Sequence, residues 1–251
     1  MKLIKYGLTL KRLTEEDLEL LRTWRNSSQV NKFMEFRDYI TPEEQLEWFN
    51  SINTPDNFYY IIIYNGEKIG MINEKGFDRF GKQTSESGLF LSSDKYKNSY
   101  VPVFASLILL EMSFFFLGGK DSYIRILQEN LSSISYNKQL GYVLCPGQEN
   151  IKNQKYILTR ENFVAKTNKV RKAALKISGG DKNMYLVWEK EDYESGIAQE
   201  SDKLLSASHL SIPHKWVNGE HIYSYEIDPD NPTIFEPDPS VVNPYKFYKK
   251  D

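Results

Sequence analysis

At 251 residues and a net charge of −2, the chain has room for one large domain, or for an ordinary domain with an appendage. It offers no excess positive charge and no basic patch, so a nucleic-acid partner is excluded. Its 40% hydrophobic, 26% charged and 14% aromatic residues describe a soluble globular protein rich in Tyr and Phe. The single Cys145 excludes an intramolecular disulfide and fits a reducing compartment. The stretch Met1–Gly7 lacks the apolar core of a signal peptide. The longest apolar run, Val101–Leu117, is interrupted by Ser106, Glu111 and Ser113; it reads as a buried helix and not as a membrane span. No membrane partner and a cytoplasmic location are expected.

In chain order, Leu8–Leu13 reads as a short strand. Thr14 then caps a helix over about Glu15–Asn26, with Glu15, Glu16 and Asp17 in the first turn to suit the helix dipole. Thr41-Pro42-Glu43-Glu44 announces a second helix, with Pro at the first position and Glu at the third. Phe58–Tyr64 is a β-branched and aromatic strand, Asn65-Gly66 a two-residue hairpin turn, and Lys68–Asn73 the return strand. A loop over Gly76–Lys82 leads to a strand at Glu86–Ser92 and a helix at Val103–Leu117, closed by Gly118-Gly119. Tyr123–Leu127 alternates as a strand, a helix follows Asn130 and stops at Gly141, and Tyr142–Leu144 and Tyr156–Thr159 are further strands. This order argues an α/β (α+β) sheet with helices packed on it.

The Asn130-x-x-Ser133…Leu140-Gly141-Tyr142 spacing resembles the acyl-CoA-dependent N-acetyltransferase (GNAT) superfamily, as does the element order over roughly residues 7 to 165. Trp24-Arg25-Asn26 is similar to the Trp-Arg-Asn of bacterial amino-sugar and nucleotide-sugar N-acetyltransferases. The run Arg12–Leu18 resembles the ribosomal-protein branch, and Lys68-Ile69-Gly70-Met71-Ile72 the family's Ile-Gly strand. The resemblance implies a GNAT fold, a mixed central sheet flanked by helices, that transfers an acetyl group from acetyl-CoA to the amine of a small molecule. An amino-sugar nucleotide is the acceptor that Trp24-Arg25-Asn26 favours.

It further implies a set of site residues. Glu86, where the ribosomal-protein branch often has Glu, is the expected base, with Glu74 and Glu35 next. Trp24 and Arg25 belong either to the acceptor site, Arg25 gripping a phosphate or carboxylate, or to the core and an ordinary ion pair. Acetyl-CoA falls to Leu91, Lys97, Asn98, Ser99, Asn130, Ser133 and Asn137. Asn130 is equally a helix cap, and Ser133 a first-turn polar residue. In the pyrophosphate loop Tyr100 and Pro102 occupy the slots where the family has glycine, and Pro removes an N–H donor. The family's proton-donating Tyr aligns with Asn137, and Tyr136 lies one residue earlier, about 100° round the helix. These departures leave open a GNAT-fold binding or assembly protein without catalysis.

Beyond about residue 166 the composition changes. A basic helical stretch, Lys166–Lys176, precedes a strand at Met184–Trp188 and a Pro-rich, aromatic tail carrying His209, His214 and His221, whose spacing matches no metal signature. Residues 1–165 are expected to form the acyltransferase domain. Residues 166–251 are expected to form an extension that packs on it, covers its cleft or clasps a second subunit in a homodimer.

Overall fold

The computed structural model describes residues 1–54, 56–77, 84–97, 99–196, 198 and 212–234. Asn98, most of the expected loop after Gly76, His209 and the tail beyond residue 234 lie outside the described residues. The described chain builds one mixed sheet with helices on both faces.

β1 (Lys2–Lys5) and β2 (Leu8–Arg12) form a hairpin through Tyr6 and Gly7, both at positive φ (51° and 73°), as a tight type I′-like turn requires. A 3-10 turn at Glu15–Asp17 leads into α1 (Leu18–Asn26), and α2 (Ser28–Asn31) follows. α3 (Pro42–Ile52) starts with the expected capping box: Glu44 N–H donates to Thr41 Oγ1 at 3.2 Å, and Thr41 N–H to Glu44 Oε2 at 2.8 Å. β3 (Phe58–Tyr64) turns at Asn65-Gly66, φ 51° and 79°, into β4 (Glu67–Lys75). β5 (Ser85–Leu91) follows, then α4 (Val101–Glu111) and β6 (Asp121–Leu127). α5 (Leu131–Leu140) ends on the left-handed Gly141, and β7 (Val143–Leu144) and β8 (Asn153–Thr159) follow. α6 (Arg160–Ile177), β9 (Asn183–Trp188), α7 (Lys190–Glu194), β10 (His214–Val217) and β11 (Glu220–Glu226) complete the described elements.

The strand order is β10-β11-β9-β1-β2-β3-β4-β5-β6-β8-β7, with every pairing antiparallel except β5 with β6. α4 is buried on all sides apart from Val103, which suits a helix apolar all round that fills the centre of a layer. It covers one sheet face with Phe163, Ala174 and Leu175 of α6. The other face carries a second core of Leu18, Leu21, Phe49, Tyr59, Ile61, Met71 and Phe90 beneath α1 and α3.

The helix expected over Val103–Leu117 is two elements. α4 begins earlier, with Pro102 in its first turn, and passes into a π-helical turn at Met112–Phe116, where Leu117 N–H reaches Met112 O at 2.9 Å. The chain beyond residue 165 adds to the same sheet: β9 pairs with β1, and β11 with β9. Arg171 of α6, buried, donates from Nη2 to Pro229 O at 3.1 Å, which ties the segment after β11 to that helix.

Gly70 explains the expected Ile-Gly strand. A Cβ there would lie 2.3 Å from the carbonyl oxygen of Phe90 on β5 and 3.0 Å from Leu91 Cα, so backbone would have to move. At Gly88 the nearest atom is Asn73 Oδ1 at 3.0 Å, the end of a side chain that can turn. Gly70→Ala should therefore cost about 1–3 kcal/mol in urea unfolding and Gly88→Ala clearly less; equal losses would count against this packing.

Candidate functional site

β5 and β6 pair only at Ser85↔Ser122 and Glu86↔Tyr123, and beyond that point they part. The other edge of β5 stays paired to β4 through Leu91. Ser92 N–H donates to Ile69 O at 2.9 Å, and Phe90 O faces Gly70, so Ser92 and Phe90 direct their backbone groups toward β4. Successive residues of a strand point their N–H and C=O groups to opposite sides, so Leu89 and Leu91 present theirs to the gap left by β6. The gap opens into a cavity of about 850 Å³.

Side-chain alternation gives this cavity two lobes, one on each sheet face. Leu89 and Leu91 of β5, with Ile124 and Ile126 of β6, face α4. There the cavity continues along Ser106, Leu109 and Leu110, and along Asn130, Ser133, Tyr136 and Asn137 of α5. Glu86, Gly88 and Phe90 face the α1–α3 side with Tyr59, Lys75, Arg125 and Trp48. There Arg25 and Glu35 also line the wall.

In the first lobe Asn130 caps α5, its Oδ1 accepting from Ser133 N–H at 3.1 Å, while both residues line the cavity. Asn137 donates from Nδ2 to Ser133 O at 2.9 Å. Tyr136 sends its hydroxyl to α4, 2.8 Å from Pro102 O and 2.6 Å from Ser106 Oγ, and burial pushes its pKa up. The loop before α4 spends much of its backbone on itself. Lys97 N–H bonds Asp94 O, Ser99 N–H bonds Tyr96 O, Val101 N–H bonds Ser99 Oγ, and Pro102 has no N–H. Lys97 lines the cavity, pairs with Asp94 and lies over the Phe33 ring. Ser99 is not among the lining residues. Nor is Tyr100: its ring packs on Phe104 and its hydroxyl meets that of Tyr64 at 2.6 Å, so its bulk is directed away from the lobe.

In the second lobe Arg25 has a buried Nε with no hydrogen-bond partner, and it makes no ion pair among the described residues. Burial lowers its pKa, and the aromatic Trp48, Tyr59, Phe33 and Phe36 share its wall. Trp24 instead packs edge-on against Phe90 in the core beneath α1. Glu86 is held on two sides, by Lys75 Nζ at 3.0 Å and by the Tyr123 hydroxyl at 2.9 Å.

Glu74 lies fully buried at the junction where β5 and β6 meet and does not line the cavity. Its Oε1 accepts from Ser85 and, at 3.1 Å, from Ser113, which the π-helical turn aims inward. The Ser122 hydroxyl is also within reach of the carboxyl group, while Oε2 has no well-aligned partner among the described residues. Ser122 and Ser87 share a hydrogen bond of 2.8 Å, and the hydroxyl of buried Tyr142 lies near both. Ser87, Ser122, Ser113 and Tyr142 were not expected as site residues. The register that sets Ser85 beside Ser122 brings them together, and no local pattern encodes it.

Burial raises Glu74 from the ordinary 4.5 to about 7, the serine hydroxyls only partly offsetting it. Between those values the folded protein holds a proton that the unfolded chain has released, so folding stability falls as pH rises. The slope is at most about 1.4 kcal/mol per pH unit, or about 3 kcal/mol over the window. Glu74→Gln should abolish this contribution, so variant and wild type should diverge between pH 4.5 and 7 in denaturant unfolding; parallel curves would refute the buried titration.

The acetyltransferase (GNAT) domain model matches residues 7–143. Among solved structures, the apo form of FdhC, a nucleotide-linked sugar GNAT, shares 23% identity at TM-score 0.57, over 69% of this chain and 97% of its own. The spermidine N-acetyltransferase from Vibrio cholerae, in complex with CoA and spermine, shares 15% at TM-score 0.56, over 64% and 99%. The aminoglycoside acetyltransferase AAC(6')-Ib in complex with coenzyme A shares 20% at TM-score 0.53, over 62% and 96%. These likenesses establish the fold, and no curated protein matches the chain. With the domain model spanning more than half of its length, the chain belongs to the GNAT acetyltransferase family.

Proposed function

We propose that this protein transfers an acetyl group from acetyl-CoA to the amine of a small molecule that also carries an anionic group, an amino-sugar nucleotide being the chemistry that fits best. The observation that carries the acceptor is Arg25, a cation without a counter-ion among the described residues, in an aromatic-walled lobe. In this lobe Arg25, Lys75 and Arg125 stand against the acids Glu35 and Glu86, and the Lys75–Glu86 pair leaves Arg25 and Arg125 against Glu35. Such a wall repels a polyamine and attracts phosphate or carboxylate. Aromatic faces suit a sugar or base.

The first lobe fits acetyl-CoA. An extended pantetheine arm can complete the backbone groups of Leu89 and Leu91 as a missing strand would, beside the polar edge of Asn130, Ser133 and Asn137. Lys97 offers charge to the pyrophosphate, while the loop's own hydrogen bonds leave fewer N–H groups for it than a glycine loop has. When bound, acetyl-CoA supplies the activated acyl group. In the opposite lobe Glu86, fixed by Lys75 and Tyr123, orients the amine, and Arg25 holds the anion. Tyr136, its proton committed to α4, serves mainly to set α5 on α4.

The loop chemistry also supports a second reading, a GNAT fold that binds without catalysing. Thiol release from acetyl-CoA separates the two; saturable calorimetric binding of acetyl-CoA is also expected, and its absence would sink the transfer reading. Thiol release from acetyl-CoA should be fastest with an amino-sugar nucleotide and slower with spermidine or an aminoglycoside. Arg25→Ala should raise KM for the anionic acceptor about tenfold to a hundredfold, since a charge-assisted bond is worth about 1.5–3 kcal/mol, with the acetyl-CoA KM unchanged. A preference for spermidine would sink the acceptor assignment. The homodimer expected through the extension finds support in β10, the outermost described strand, whose Trp216 is 61% exposed; light scattering at twice 29.4 kDa is the expected result.

A further inference from the structure

Resting on the acetyl-transfer reading above, we propose that Glu74, buried out of contact with the cleft, is the proton acceptor of the reaction, reached through the hydroxyls of Ser87 and Ser122. Ser87 lines the cavity at the apex of the gap. Ser122 stands 2.8 Å behind it, and either oxygen can be the donor in that bond. Behind Ser122 lies the Glu74 carboxyl group, with Oε1 already committed to Ser85 and Ser113 and Oε2 unengaged. One oxygen of the pair is thus held as an acceptor, and the other is open to take and return a proton.

The surroundings favour a group that changes charge. No cation pairs with Glu74 among the described residues, in contrast to Glu86, which Lys75 and Tyr123 hold. The titratable groups that feel it are Tyr60 of β3 and Tyr142 before β7, and burial pushes both phenols up, so they stay neutral. The remaining contacts, from β5, β6 and the π-helical turn, are hydroxyls.

The proton count closes. The acceptor arrives as an ammonium. Ser87 takes one of its protons while passing its own to Ser122, and Ser122 passes its own to Glu74 Oε2, so both serines end neutral. The freed nitrogen lone pair forms the C–N bond with the thioester carbon and the C–S bond breaks. The departing sulfur takes the second proton released by nitrogen, which leaves an amide and a thiol. Glu74 returns its proton to solvent by the same path.

Two measurements on the full chain test this, and the first needs no acceptor. Difference infrared spectra should show a carboxylic acid band that ionises near pH 7 and is missing in Glu74→Gln. On rapid mixing with D₂O its isotope shift should be at least tenfold slower in Ser87→Ala, and unchanged exchange would overturn the relay. In the second, thiol release from acetyl-CoA with an amino-sugar nucleotide is followed against pH. Glu74→Gln should lose the rising limb near pH 7 and lower kcat about 10²- to 10⁴-fold, with the acetyl-CoA KM kept. A limb that survives in Glu74→Gln but vanishes in Glu86→Gln would overturn the proposal. An amino-sugar nucleotide that fails to react would sink the acceptor assignment alone, and the exchange rate would still decide the relay.

Discussion

β5 and β6 are hydrogen-bonded for two residues and then diverge, and the chemistry of the molecule follows from that divergence. A strand edge in a protein interior carries backbone groups that cost free energy unless something pairs with them. Here both faces of the sheet are covered, by α4 and α5 on one side and by the core under α1 and α3 on the other. The apex is fastened by polar contacts that draw on four segments: Glu74 from β4, Ser85 and Ser87 from β5, Ser122 from β6 and Ser113 from the π-helical turn. One buried carboxyl group therefore marks where pairing ends, behind the cavity that the gap opens.

The two lobes differ in kind because a strand alternates its side chains between faces. On the α4 face the lining is apolar with a polar edge along α5. On the other face Arg25, Lys75 and Arg125 stand among aromatic rings. A gap in the sheet joins them.

Much of the fold was legible in the sequence where its cause is local. The capping box at Thr41, the Asn65-Gly66 turn and the left-handed Gly141 are each set by a few neighbouring residues, and each stands where its pattern put it. Elements whose cause lies far along the chain were less legible. β9 takes its place between β1, near the other end of the chain, and β11, and no local pattern reveals that placement. The site divides in the same way. Arg25 and Glu86, named by the resemblance, line the cavity. Trp24 packs into the core, because the helix turn between it and Arg25 sends neighbouring side chains in different directions. Tyr100, in a slot where the family has glycine, turns its hydroxyl to Tyr64 of β3.

By itself the sequence determined the family, most of the strand and helix order and the residue types available to the site, since these rest on local patterns and on motifs of fixed spacing. Tertiary structure alone decided which carboxylate is buried and which is paired. It also decided which serines meet and where β5 loses its partner. Those outcomes depend on register between segments tens of residues apart and on desolvation, and neither is a property of any short stretch of chain.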